Sequence, residues 1–149
     1  VDLKKWLQIM QAYENGGHAY HATMPTDSIK YFHDMMKLAE ATGFETLRAN
    51  QWALGEKVRA LLKARGFKSV AAEGFEAPGV VVCYTTDDMI QNGKKFVEQG
   101  VQIAAGVPLQ CDEPADYKTF RLGLFGIDKL KDVDGAVARL EKALNQLAV

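Results

Sequence analysis

Two short segments carry side chains suited to gripping small anions. The first is Tyr20-His21-Ala22-Thr23-Met24-Pro25, a run rich in hydroxyl and ring donors. Backbone before a proline is pushed towards extended geometry, so side chains here should be displayed rather than wrapped. Tyr20 and Thr23 then offer two O–H donors to one anion; a plain linker between helices is the alternative. The second segment is Thr119-Phe120-Arg121-Leu122-Gly123-Leu124-Phe125-Gly126. Strand alternation sends Phe120, Leu122 and Leu124 to one face, and Arg121, Gly123 and Phe125 to the other. The aliphatic face should meet helices. Arg121 would stand on the opposite face, with open space beside it at Gly123, an arrangement suited to two-point capture of a carboxylate. The alternative is an arginine on a solvated sheet face.

Other chemistry has little to stand on. The chain has no Walker loop, no Gly-x-Ser-x-Gly elbow, no Cys-x-x-Cys and no His-Glu-x-x-His. His18 and His21 are three apart, but they follow a glycine pair in an extended stretch with no third ligand near, so no metal site is expected. Cys83 falls in an apolar strand and reads as inert packing. Cys111 falls in a polar loop and should be exposed, with no His or Lys beside it to lower its pKa.

The elements that must position these residues follow from periodicity. Leu3, Leu7 and Met10 share a face of a first helix that Gly16-Gly17 ends. After an extended stretch from His18 to Pro25, Thr26 or Asp27 caps a helix carrying Ile29, Phe32, Met36 and Ala39, which stops at Gly43. A third helix aligns Leu47, Leu54, Val58 and Leu61 and ends at Gly66, despite the low propensity of Asn50 and Gly55. Strands are expected at Phe67 to Ala71, Gly79 to Thr85, Val101 to Ala105 and Lys118 to Phe125. Thr86-Asp87-Asp88 should start a helix carrying Ile90, Gly93 and Val97 to Gly100; Asn92-Gly93 as a hairpin turn is disfavoured by the flanking charges. Val133, Val137, Leu140, Leu144 and Leu147 mark a closing amphipathic helix. The order implies an α+β fold, a small mixed or mainly antiparallel sheet with helices packed on one face.

Bulk properties narrow the partners. A chain of 149 residues suits one domain. With 18 Lys+Arg against 19 Asp+Glu, the net charge of −1 argues against nucleic acid or an anionic membrane surface. No run approaches the roughly 20 apolar residues of a membrane span. Two cysteines are too few for a disulfide framework, which makes a cytoplasmic setting with reduced thiols the default. The chain opens at Val1, without Met, directly into helical sequence, so it is expected to be processed or a piece of something longer.

The ordered pair of motifs carries a resemblance. Tyr-His-x-Thr-x-Pro followed by a helix, then Lys-Thr-Phe-Arg-Leu-Gly-Leu-Phe-Gly and a closing amphipathic helix, resembles the C-terminal part of class V, fold-type I pyridoxal-phosphate aminotransferases. The nearest subgroup is the alanine–glyoxylate / serine–pyruvate type. The resemblance spans essentially the whole chain and implies the aminotransferase small-domain fold. It makes residues 1–25 a connecting helix and extended segment from a large domain, and residues 26–149 the small domain.

The resemblance also implies roles. Arg121 matches the arginine that binds the substrate's α-carboxylate. Tyr20 and Thr23 match residues that reach across a homodimer to the phosphate of the neighbouring subunit's pyridoxal 5'-phosphate. Ile103 to Leu109, with Gly106 and Pro108, matches a loop near the active-site mouth. No catalytic residue is carried over: the family's Schiff-base lysine lies several dozen residues before the Tyr-His motif, and neither Lys4 nor Lys5 matches its context. The implied function is transfer of an amino group from an amino acid to a small 2-oxo acid such as glyoxylate or pyruvate, by the longer enzyme and not by this chain alone. The alternative is a stand-alone module of the same fold that binds carboxylates or a protein. A domain with a missing neighbour should expose an apolar patch. Relatives acting on aminophosphonates or sulfur compounds are a further branch. Arg48, Asn50 and Gln51 fit the phosphonate one only faintly and are expected to be solvated, and neither cysteine can be assigned as a sulfur-transfer residue.

Overall fold

Helix-forming sequence occupies the first 64 residues of the computed structural model, which describes residues 2–21 and 23–147. Val1, Ala22, Ala148 and Val149 lie outside the described residues, and with them the expectation about the chain's start. Two compact units partition the chain, Val1–Leu38 and Ala39–Val149.

In the first unit, Asp2 caps α1 (Leu3–Glu14) by accepting from the Lys5 amide at 2.9 Å. Gly16, at φ +76°, ends it where an L side chain would be strained. Residues 17–20 and 23–25 form neither helix nor strand, His21 lies in a bend, and α2 (Thr26–Thr42) starts after Pro25 and runs on into the second unit. Thr26 is already helical, so it opens the helix rather than capping it from outside. The predicted apolar faces are correct as stripes but are not core. Ile9 is buried, while Leu3, Leu7 and Met10 on α1 and Ile29, Phe32 and Met36 on α2 are all exposed, Phe32 at 65%.

The second unit is the α+β layer. Its sheet has three strands, β1 (Val80–Tyr84), β2 (Ala104–Ala105) and β3 (Thr119–Gly123), in the order β1-β3-β2 and antiparallel throughout. Val81 pairs with Leu122 and Cys83 with Phe120, which puts these four on one face. Against that face pack Leu54, Val58 and Leu62 of α3 (Phe44–Ala64) and Leu144 of α7 (Val133–Gln146). Phe120 is wholly buried and meets Phe67 edge-on at 5.1 Å and Phe96 at 5.6 Å. Ion pairing of Lys57 with Asp134 and a hydrogen bond from Arg65 to Asn145 tie α3 to α7.

Several elements differ from the periodicity. Phe67 to Ala71 makes one bridge, Ser69 to Cys83, flanked by hydrogen bonds from the Val70 amide to Val82 O and from the Tyr84 amide to Lys68 O, while the Phe67 amide turns back to Leu62 O. The strand expected at Val101 to Ala105 shrinks to Ala104–Ala105, since Val101 and Ile103 pack on the core. The helix after Asp87 is two: α4 (Asp88–Gln91), capped by the Asp87 carboxylate, and α5 (Lys94–Glu98). Gly93, at φ +81°, separates them, so Phe96 rather than Val97 enters the core. A short α6 (Ile127–Lys131) precedes α7 without a periodic signal.

On α3, Leu62 rather than Leu61 completes the buried stripe. Gly55 has a packing reason: a Cβ there would lie 2.8 Å from the Pro78 carbonyl oxygen, so the helix meets the loop before β1 backbone to backbone. Asn50 and Gln51 are not solvated. Asn50 donates to the Leu130 carbonyl at 2.8 Å, and Gln51 to Pro78 at 2.9 Å and Leu124 at 3.3 Å. They tie α3 to α6, to the loop before β1 and to the residue after β3. Among the described residues, no helix is long and apolar enough to cross a membrane.

Candidate functional site

Arg121 stands on the middle strand, facing away from the helices. Its cross-strand neighbours are Val82 on β1 and Ala104 on β2, both short side chains that leave the arginine its height. The side chain is half-buried, and its Nε donates to the Ala105 carbonyl at 2.9 Å. This bond fixes one edge of the guanidinium to the backbone of β2. No carboxylate among the described residues pairs with Arg121. The two Nη groups thus carry a positive charge with planar donor geometry, the arrangement that binds a carboxylate through two parallel hydrogen bonds.

The space beside it is not fully open. A Cβ at Gly123 would lie 3.7 Å from the Phe125 ring, and one at Gly79 would lie 2.7 Å from it. Phe125 therefore lies across both glycines and forms an apolar wall where the alternation suggested a gap. Gly79 has to be glycine for the ring to lie there.

The chain between β2 and β3 frames the other side. Gly106 donates to the Thr119 carbonyl at 2.9 Å, and a Cβ on it would fall 2.0 Å from that oxygen. No other residue permits this approach. Further along, Gln110 and Asp112 adopt φ near +60°, the left-handed region that costs ordinary side chains energy. The Glu113 carboxylate holds this turn, accepting from the Cys111 amide at 2.8 Å and the Gln110 amide at 2.9 Å. Those amides, that of Cys111 foremost, lower the Glu113 pKa to about 2.

A depressed carboxylate pKa stabilises the fold above the ordinary glutamate value near 4.5, and that contribution is lost as pH falls towards 2. The protection factors of the Gln110 and Cys111 amides, taken against the intrinsic exchange rate at each pH, should therefore fall between pH 4.5 and 2 in the native protein. In Glu113→Gln they should be low at both ends and nearly independent of pH. Equal protection in the two proteins at pH 6 would show that the carboxylate does not hold the turn.

The hydroxyl pair belongs to the first unit. Tyr20 Oη and Thr23 Oγ1 lie 3.4 Å apart, both exposed, so the two donors converge on one place as their spacing suggested. Ala22 between them is outside the described residues. His21 packs edge-on against Trp6 at 5.4 Å and His18 against Tyr13 at 5.9 Å, which gives both imidazoles packing partners on α1. Among the described residues, no three His, Cys, Asp or Glu side chains gather closely enough to hold a metal ion.

The cysteines sit where the pattern put them. Cys83 is buried on β1 and burial pushes its thiol up to about 11, so it is unreactive near neutral pH. Cys111 is exposed, and its pKa is raised by local desolvation and by the adjacent Glu113. The roles of Gly106 and Glu113 were not visible in advance; Gly106-Val107-Pro108, a glycine before a proline turn, was the available signal for the first. Arg121 lies in the second unit, and Tyr20 and Thr23 lie in the first. Comparison with family models and with curated protein sequences gives no match.

Proposed function

We propose that the chain is the C-terminal domain of a pyridoxal-phosphate-dependent class V aminotransferase, which in its full-length homodimer moves an amino group from an amino acid to glyoxylate or pyruvate. The observation that carries this reading is Arg121: a guanidinium fixed at one edge by Ala105 O, with its remaining donors uncommitted, on the middle strand of the sheet. It binds the α-carboxylate that every such substrate has and so orients the reacting carbon. Phe125 bounds the space along the strand from it.

The residues for the cofactor fit its phosphate. Two exposed hydroxyls within 3.4 Å of one another match two oxygens of one phosphate group. When bound, pyridoxal phosphate supplies the electron sink of the reaction. Tyr20 and Thr23 would hold its phosphate and Arg121 the substrate carboxylate; no residue of this chain is assigned to proton transfer. The exposed apolar stripes of α1 and α2 support a cover from a further domain or subunit. The cytoplasm, where both thiols stay reduced, is the compartment this reading implies.

The test is a screen of amino-acid donors against glyoxylate and pyruvate with the full-length protein, alongside the 149-residue chain with added cofactor. The full-length protein should transaminate, and the chain alone should show neither turnover nor a visible cofactor absorbance that borohydride reduction fixes to one lysine. No transamination by the full-length protein with any donor would overturn the reading. So would a specific lysine adduct on the isolated chain.

A further inference from the structure

A cleft lies among α3, α7 and the end of β3. It measures about 530 Å³, within the range of small-molecule sites. Its floor is core: Leu54 and Val58 of α3, Leu122 on β3 and Leu124 just after it. One wall is α7, where Ala136, Leu140 and Ala143 step by four and three and so share a stripe. The two alanines account for the width, since larger side chains at either position would reach into the space. Across from them, the chain at 99–102 leads towards β2, whose two residues leave the sheet short on this side.

The rim differs in kind from the floor. Arg139, Lys142 and Gln146 form the next stripe on α7, and Lys129 stands at the end of the cleft near Asp128. Three cations against one carboxylate give these lining residues a net +2 (3 − 1), on a chain whose total is −1. Lys129 is committed to the Phe125 carbonyl at 2.9 Å, and Arg139 shares an exposed ion pair with Asp132 at 3.5 Å. Lys142 is exposed and has no ion pair among the described residues. An apolar trough edged by Lys142, the rim cation without an ion pair among the described residues, with Arg139 one turn away, is complementary to a molecule with an aliphatic body and an anionic end.

We infer that this cleft binds a linear alkyl carboxylate, the chain lying along Leu122, Leu124 and Leu140 and the carboxylate at Lys142 and Arg139. The site is independent of the aminotransferase reading: it uses none of the residues assigned there.

The test is titration of the isotope-labelled 149-residue chain with octanoate, followed by NMR at methyl and amide positions. Saturable shifts should centre on Leu122, Leu124, Ala136 and Leu140. Octylamine, with the same body and the opposite charge, should bind at least tenfold more weakly. Lys142→Glu, an exposed change that leaves the core untouched, should weaken octanoate by a similar factor and narrow its advantage over octylamine. Ala136→Leu should abolish binding by filling the trough; if that variant does not fold, the Lys142→Glu comparison stands alone. Shifts confined to Ile29, Phe32 and Met36 would overturn the inference, because they would place the alkyl chain on the exposed stripe of α2. Equal affinity for octanoate and octylamine, or no saturable binding, would overturn it as well.

Discussion

On the proposed function, Arg121→Ala in the full-length protein should lower kcat/KM for carboxylate substrates by about 150-fold, the equivalent of about 3 kcal/mol for a lost two-point charged contact. Most of the change should fall on KM. The α-carboxylate is not a reacting group and keeps its charge throughout, so Arg121 grips ground state and transition state nearly alike. Arg121→Lys should recover only part of the loss, since a point charge replaces a planar fork. The fold should tolerate either change. Among the described residues, the one side-chain hydrogen bond of Arg121 is to Ala105 O, and losing one such bond costs about 1 kcal/mol. Steady-state kinetics on both variants, with urea unfolding as the control, separates the two effects. Unchanged KM in the alanine variant would remove Arg121 from the site.

The largest effect on folding is expected from Gly106→Ala. The added methyl would meet the Thr119 carbonyl oxygen at 2.0 Å and its hydroxyl at 2.1 Å, and neither can retreat. Thr119 is 1% exposed and opens the middle strand of the sheet. The 104–106 segment must therefore lift away, and with it goes the pairing of Ala104 and Ala105 to β3. A cost of about 2–4 kcal/mol is expected, at the upper end for overpacking because backbone rather than a side chain is struck. Hydrogen exchange should show the Gly106 amide losing its protection while β1 keeps its own. On the proposed function, KM for carboxylate substrates in the full-length protein should rise too, because Ala105 O holds one edge of the guanidinium. A variant within 1 kcal/mol of the parent would mean that the close approach does not exist in solution.

How much of this was legible depends on which interaction decided each element. Long periodic helices were read correctly because a single stripe settles them: Leu54 and Val58 on α3 and Leu144 on α7 all reach the core they were assigned to. The face of β3 was legible for the same reason, since two-residue alternation leaves Arg121 only one side to occupy. Where a tertiary contact outweighed local pattern, the reading failed. Phe67 has the composition of a strand residue, yet its amide closes the end of α3 on the Leu62 carbonyl and is lost to a ladder. Gly93 sits inside a helical period, but its positive φ rotates the next turn and exchanges Val97 for Phe96. Asn50 and Gln51 look like solvent-facing amides until the carbonyls of Leu130, Pro78 and Leu124 arrive from 27 to 80 residues away.

The candidate site divides in the same way. Residue types named Tyr20, Thr23 and Arg121, because hydroxyls and a guanidinium advertise what they bind. The wall made by Phe125 and the contact at Gly106 did not announce themselves, because each depends on a glycine on another strand or on a neighbouring backbone. Spacing along one segment cannot encode a distance between two.

The turn at Glu113 bears on which anions this face of the protein will answer to. Consecutive amides in left-handed geometry form a concave trap for small oxyanions, and left empty that trap would draw phosphate or formate from any buffer. Here the trap comes with its own resident, a carboxylate on the same chain whose local concentration no solute can match. A free carboxylate or phosphate arriving at this turn finds its amides already satisfied.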